Sequence, residues 1–266
     1  MATAKATKGV PAKVKSAGTA VANYEERLAA MAAESAQNEA DVGGGNFISV
    51  KSGQLTYQGN TIKGNELDVV VLTSIHENCY YPGRFDPDNP QPPVCYAFGT
   101  DPKEMAPHPE SAEPQHDQCD GCPMNEFETA DSGKGKACKN IRRLSMIPGD
   151  PLNEETVETA DVAYLKVPVT SVKGWASFVK TVATLDKLPP LGVVCRIGVI
   201  PDPKSQFKVT FQKVEPVPRA LLGTLMGRSD AEKEAIKFPY AKPSEEAPPA
   251  KGKKPAGKAP AKRAKF

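Results

Sequence analysis

The sequence predicts a mainly β chain, built as a small, partly open antiparallel barrel with one inner helix and a large irregular insertion. Three observations lead there. Short β-branched and aromatic runs alternate with Gly, Asn and Pro turn signals. One stretch, SVKGWASFVKTVATLDKL, carries a strong helical apolar stripe. About sixty residues near the middle have hardly any periodicity, yet hold four of the six cysteines. Many short antiparallel strands with one connecting helix suit a partly open barrel, and a sandwich is the alternative that periodicity leaves open.

In chain order, Asn23 and Glu26 form a capping box ahead of a run rich in helix formers, so a short helix is expected over 23–42, with Leu28 and Met31 on its apolar face. The glycines at 43–45 end it. Phe47, Ile48 and Val50, then Leu55 and Tyr57, bracket a Ser-Gly turn, and Leu67 to Ile75 is a β-branched run whose continuous Val69–Val71 core implies cover on both faces. Beyond the insertion, at about 79–140, IRRLSMIPG and DVAYLKVPVT read as strands. Trp175, Phe178, Val179, Val182 and Leu185 form the stripe of the inner helix, which Ser171 could cap and Pro189-Pro190 end. VVCRIGVI and FKVTFQKV read as a hairpin across PDPKSQ. RALLGTLMGRSDAEKEAIKF reads as two short helices with a break at Gly227.

The two ends differ from this body. Residues 1–22 and 241–266 are mostly small residues, Pro and Lys, and cannot bury enough apolar surface to offset the entropy of ordering; both are expected to be disordered arms around a domain at 46–240. The chain carries 34 basic and 32 acidic side chains, but 11 of the basic ones sit in residues 1–16 and 251–266, where there is no acid. The body is therefore acidic and the arms basic, a distribution suited to a polyanionic partner. No 18-residue apolar run or secretory signal is present, so the expectation is a protein without a membrane span, in a reducing cytoplasm.

In that setting the cysteines need a reason other than disulfides. Cys119 and Cys122 form a CxxC, whose tight turn lets two thiolates meet one ion; Cys95 lies upstream and Cys138 sixteen residues on. Four thiolates suit a structural Zn²⁺ that would staple the insertion, with Lys134, Lys136 and Lys139 offsetting the negative charge. Four cysteines also suit an iron–sulfur cluster, and Cys79, His76 or His116 could replace one ligand. Cys195, between apolar residues, reads as a buried small hydrophobe.

The segments NCYYPGRFDPDNPQPPVCYAFG, QCDGCPMN and GKGKACKNIRRL, with YLKVPVTSVKGWASFVKTVA and VVCRIGVIPDPKSQFKVTFQKV, resemble bacteriophage and prophage single-stranded-DNA-binding proteins of OB type, over about residues 46–216. The resemblance implies an OB-like barrel with a cysteine-rich zinc-binding insertion, acting in phage-type DNA replication or recombination. One departure is the basic C-terminus, where such proteins commonly carry an acidic tail.

Single-strand binding needs aromatic platforms and a cationic track. The candidates are Tyr57, Tyr80, Tyr81, Arg84, Phe85 and Tyr96, with Lys139, Arg142, Arg143, Lys166 and Lys173 for phosphates. Adjacent Arg142 and Arg143 point to opposite faces of a strand, so only one can line a groove. The alternative is a non-catalytic adaptor of replication or transcription machinery. A metal-dependent nuclease would have to use Asp86, Asp88, Glu113 and Asp117, but DPDNP reads first as a turn and no phosphate loop or other catalytic motif is present, so no catalysis is expected.

Overall fold

A computed structural model describes residues 46–83 and 91–240, together with Arg27, Leu28 and Met31. Those three residues fall within the helix expected at 23–42; Arg27, Leu28 and Met31 are helical and exposed. The arms at 1–22 and 241–266 lie outside the described residues.

Nine strands form one sheet: β1 (Phe47–Lys51), β2 (Gln54–Tyr57), β3 (Asn60–Thr61), β4 (Glu66–Tyr80), β5 (Cys95–Gly99), β6 (Lys139–Pro148), β7 (Ala163–Val167), β8 (Val193–Asp202) and β9 (Gln206–Pro216). Their order is β3-β2-β1-β7-β6-β4-β8-β9, with β5 alongside the far end of β4. All pairs are antiparallel except β1 with β7. Strand β4 is the spine. Along one edge it pairs with β6 for most of its length; along the other it pairs first with β8 and then with β5.

The sheet curls into an open half-barrel. Asn65 helps draw its ends together, because its amide donates to the carbonyls of Gly53 (2.9 Å) and Val199 (3.2 Å) and accepts from the Leu55 amide (2.6 Å). Among the described residues from 46 onward, three α-helices accompany the sheet: α1 (Glu154–Thr159), α2 (Val172–Leu185) and α3 (Leu222–Ala235).

Side-chain alternation divides the core between two faces. Val69, Val71, Leu144, Met146, Leu165, Cys195 and Ile197 face inward onto α2, against Trp175, Phe178 and Val182. Val70, Leu72, Ile147 and Val194 face outward onto α3, against Leu221 and Leu225. A β-bulge between Val71 and Thr73 re-phases β4, so Ile75, Glu77 and Cys79 continue the outer face with Arg143 of β6. The buried Ser229 hydroxyl of α3 donates to the Leu72 carbonyl at this bulge (2.7 Å).

The expected OB-like, partly open barrel with one inner helix is thereby corrected. The helices α2 and α3 each run fourteen residues, one on each face of a nine-stranded sheet. Gly227 does not break α3: it is exposed, with open space around it, and a single Gly costs only about 1 kcal/mol in a helix. Helix α1 carries one buried apolar residue, Val157, too few to show a period, yet Asn153 caps it by accepting from the Thr156 amide. The hydroxyl of Ser171 does not cap α2; it accepts from the Val209 amide (2.9 Å) and ties the helix to β9. Leu185, expected on the apolar stripe, is exposed.

Because Leu225 is fully buried in the core cluster beneath α3, Leu225→Ala is expected to destabilise the protein by about 2–5 kcal/mol, whereas Met226→Ala, one residue on and 54% exposed, should stay within about 0.5 kcal/mol. Urea unfolding of both variants checks this; equal effects would show that α3 does not pack as described.

Candidate functional site

Two environments meet at the β4–β5–β6 end of the sheet, one on each face. On the outer face, Arg143 is 1% exposed and pairs with the fully buried Glu77. Its Nε donates to Glu77 Oε2 (2.7 Å) and its Nη2 to Glu77 Oε1 (3.0 Å). Its Nη1 donates to the carbonyls of Ile236 and Phe238, each at 3.0 Å. The guanidinium lies between the rings of Phe98 (4.3 Å) and Phe238 (4.4 Å). Tyr240 closes the cluster: its hydroxyl donates to Glu77 and accepts from Lys166 Nζ (2.7 Å). The segment after α3 thus lies across the outer face, its rings packed on Phe47, Tyr96 and Tyr164.

Burial pushes the Glu77 carboxyl up, but the hydrogen bonds and charge of Arg143, with Lys166 and Tyr240, outweigh it and hold the group below its ordinary value. Lys166 is pushed down by burial, against the opposing pull of Glu77. Cys79, 1% exposed, is pushed up by burial and by Glu77, to which its thiol donates (3.4 Å).

On the other face, Cys95, Cys119, Cys122 and Cys138 line one recess with Asn78, Tyr80, Met124 and the exposed His116. All four are buried and none is in a disulfide. Burial and mutual repulsion push up Cys138, to about 12; burial also raises Cys119 and Cys95. Among the described residues no group of three or more His, Cys, Asp or Glu side chains is placed to hold a metal ion. The Zn²⁺ expected on these cysteines, the iron–sulfur alternative and the zinc-stapled insertion are therefore corrected.

Hydrogen bonds organise the insertion instead. The Cys119 amide donates to Met105 (2.8 Å), His108 to Tyr96 (2.7 Å), Glu113 to Val94 (2.8 Å) and Cys138 to Met124 (2.8 Å). An amide ladder links it to the sheet: Asn140 Nδ2 donates to Asn78 Oδ1 (2.8 Å) and Asn125 Oδ1 (2.9 Å), and Asn125 Nδ2 donates to the Cys119 carbonyl (2.8 Å). Nothing in the sequence singles out these asparagines, two of which sit on β4 and β6 and meet only in the fold. Cys195 is fully buried in the inner core.

The residues expected at a nucleic-acid surface separate into three groups. Tyr96 (3% exposed) and Arg143 are buried, and Lys166 is engaged with Glu77 and Tyr240. Arg84 and Phe85, like the nuclease candidates Asp86 and Asp88, lie outside the described residues. Tyr81, Lys139 and Lys173 are exposed; Tyr57, Tyr80 and Arg142 are half-buried. Glu113 and Asp117 are exposed. Cys79 of β4 sits opposite Lys139 of β6, so Tyr80, Tyr81 and Lys139 share one end of the sheet.

Compared with known protein families, curated proteins and solved structures, the chain matches none. The resemblance to phage single-stranded-DNA-binding proteins is accordingly corrected: no match supports it, and the metal site it implied has no ligand group among the described residues. No described helix is long and apolar enough to cross a membrane.

Removing one member of the buried pair leaves an uncompensated charge, so Arg143→Met should cost about 3–5 kcal/mol, with part regained in the double variant Glu77→Leu/Arg143→Met. The depressed pKa of Glu77 also sets a pH dependence. Its contribution is complete above the ordinary value of 4.5 and is lost as pH falls through the lower folded value. Urea midpoints measured between neutral pH and pH 3 should fall in the acid range for the native chain and less steeply for the double variant; parallel curves would contradict this.

Proposed function

We propose that this protein binds single-stranded DNA without sequence preference and without chemistry. The observation that carries the reading is a run of four cations within nine residues after the CxxC. Lys134, Lys136, Lys139 and Arg142 make no ion pair among the described residues, whereas the neighbouring Arg143 does. Lys136 and Lys139 donate only to neutral oxygens, of Asn125 and Lys136, and Arg142 to the Ile141 carbonyl (3.3 Å). Cations left without carboxylate partners are free to neutralise phosphates and release counterions. Tyr80, half-buried at the same end of the sheet and on the side away from the Arg143 cluster, offers a ring to a base, and stacking is tolerant of sequence because every base has a π-face. The basic arms would add affinity without defining the site.

Fluorescence anisotropy with an oligonucleotide of about 25 bases at two salt concentrations tests this on the full chain. Affinity should fall as salt rises. The variant Lys134→Ala/Lys136→Ala/Lys139→Ala/Arg142→Ala should flatten the log–log slope by up to about 0.7 for each phosphate that is no longer neutralised. No affinity at low salt would favour the adaptor reading. An unchanged slope in the variant would place binding in the arms rather than the body.

A further inference from the structure

Phe127 is the one large aromatic among the described residues that the fold leaves mostly in solvent, at 73% exposure. A lone exposed apolar side chain is ordinary on a protein surface. This one is held in a defined frame. Phe127 and Lys136 face each other across an antiparallel bridge, which puts both side chains on one side of a small hairpin. The hairpin is fixed at its base by Thr129, whose hydroxyl donates to the Glu126 carbonyl (2.7 Å) and accepts from the Ala137 amide (3.0 Å). It is fixed at its tip by the Gly133 amide donating to Ala130 (2.7 Å) and by Ser132 donating to the Lys134 carbonyl (3.0 Å). Lys136 Nζ stands 5.2 Å from the centre of the Phe127 ring, and the exposed Lys134 is two residues before Lys136, at the turn.

We propose that Phe127 is a stacking platform for an unpaired base of a bound strand, with Lys136 and Lys134 meeting the adjoining phosphates. The inference rests on the single-strand-binding reading and names its base-contacting residue. A pre-positioned flat ring beside a cation matches the two surfaces of one nucleotide, its base and its phosphate. A base inside a duplex has no free face to offer, so the platform discriminates against double strands.

The experiment uses the full chain, a 25-base single strand and the matching duplex. Phe127→Ala should weaken single-strand binding roughly five- to a hundredfold with the salt slope unchanged, because stacking releases no counterions; duplex binding should not change. Phe127→Trp should keep the affinity and show quenched tryptophan emission at saturation. The native Trp175, 3% exposed, provides a constant background measured in the unsubstituted chain. Wild-type affinity in Phe127→Ala, or unquenched emission in Phe127→Trp, overturns the platform and leaves single-strand binding standing. Absence of any binding by the unsubstituted chain overturns both.

Discussion

The bidentate pair between Arg143 and Glu77 is the constraint on which the surrounding architecture depends. One guanidinium joins β6 to β4 through the carboxylate, to the segment after α3 through two carbonyls, and to β5 through the Phe98 ring. Taking these charges out of water costs several kcal/mol each, and the arrangement is tolerable only because the donors are satisfied and the flanks are closed by rings. Through the Ile236 and Phe238 carbonyls the same guanidinium also ties residues 236–240 to the sheet, where Phe238 and Tyr240 pack.

That seal decides which cations remain available. Arg143 and Lys166 are spent on Glu77 and Tyr240, and Tyr96 packs under Tyr240 and against His108. The outer face at this end of the sheet is structural. Outside that seal lie Arg142 on the opposite side and, at the margin, the exposed Lys139 and the hairpin of Lys134, Lys136 and Phe127, the surface proposed above for a strand. The division follows from the period of two along β6, which sends consecutive arginines to opposite faces.

The legible part of the sequence is the part governed by local periodicity. The β-branched run from Leu67, the hairpin after Val193 and the Trp175 helix all carry their signal within a dozen residues. The opposition of Arg142 and Arg143 is legible for the same reason; which of them is buried is not, because that depends on Glu77, 66 positions away, and on carbonyls more than 90 positions away. Helix α3 reads as two pieces because Gly227 weakens a pattern that packing against Leu72 and Ile147 restores. The cysteine spacing does bring four thiols to one recess, but spacing carries no information on whether their sulfurs reach a common ion. Phe127 carries no signal at all: between two glutamates it looks like any loop aromatic until the bridge to Lys136 is formed.

The division between a sealed outer face and the proposed binding margin is tested most directly by amide hydrogen exchange on the full chain, with and without a saturating 25-base single strand. The account predicts new protection in residues 126–142 and around Tyr80, with residues 236–240 and the outer face around Tyr96 unchanged. Protection confined to residues 236–240, or loosening of that segment as the strand binds, would contradict it and make the Arg143 cluster part of the binding surface.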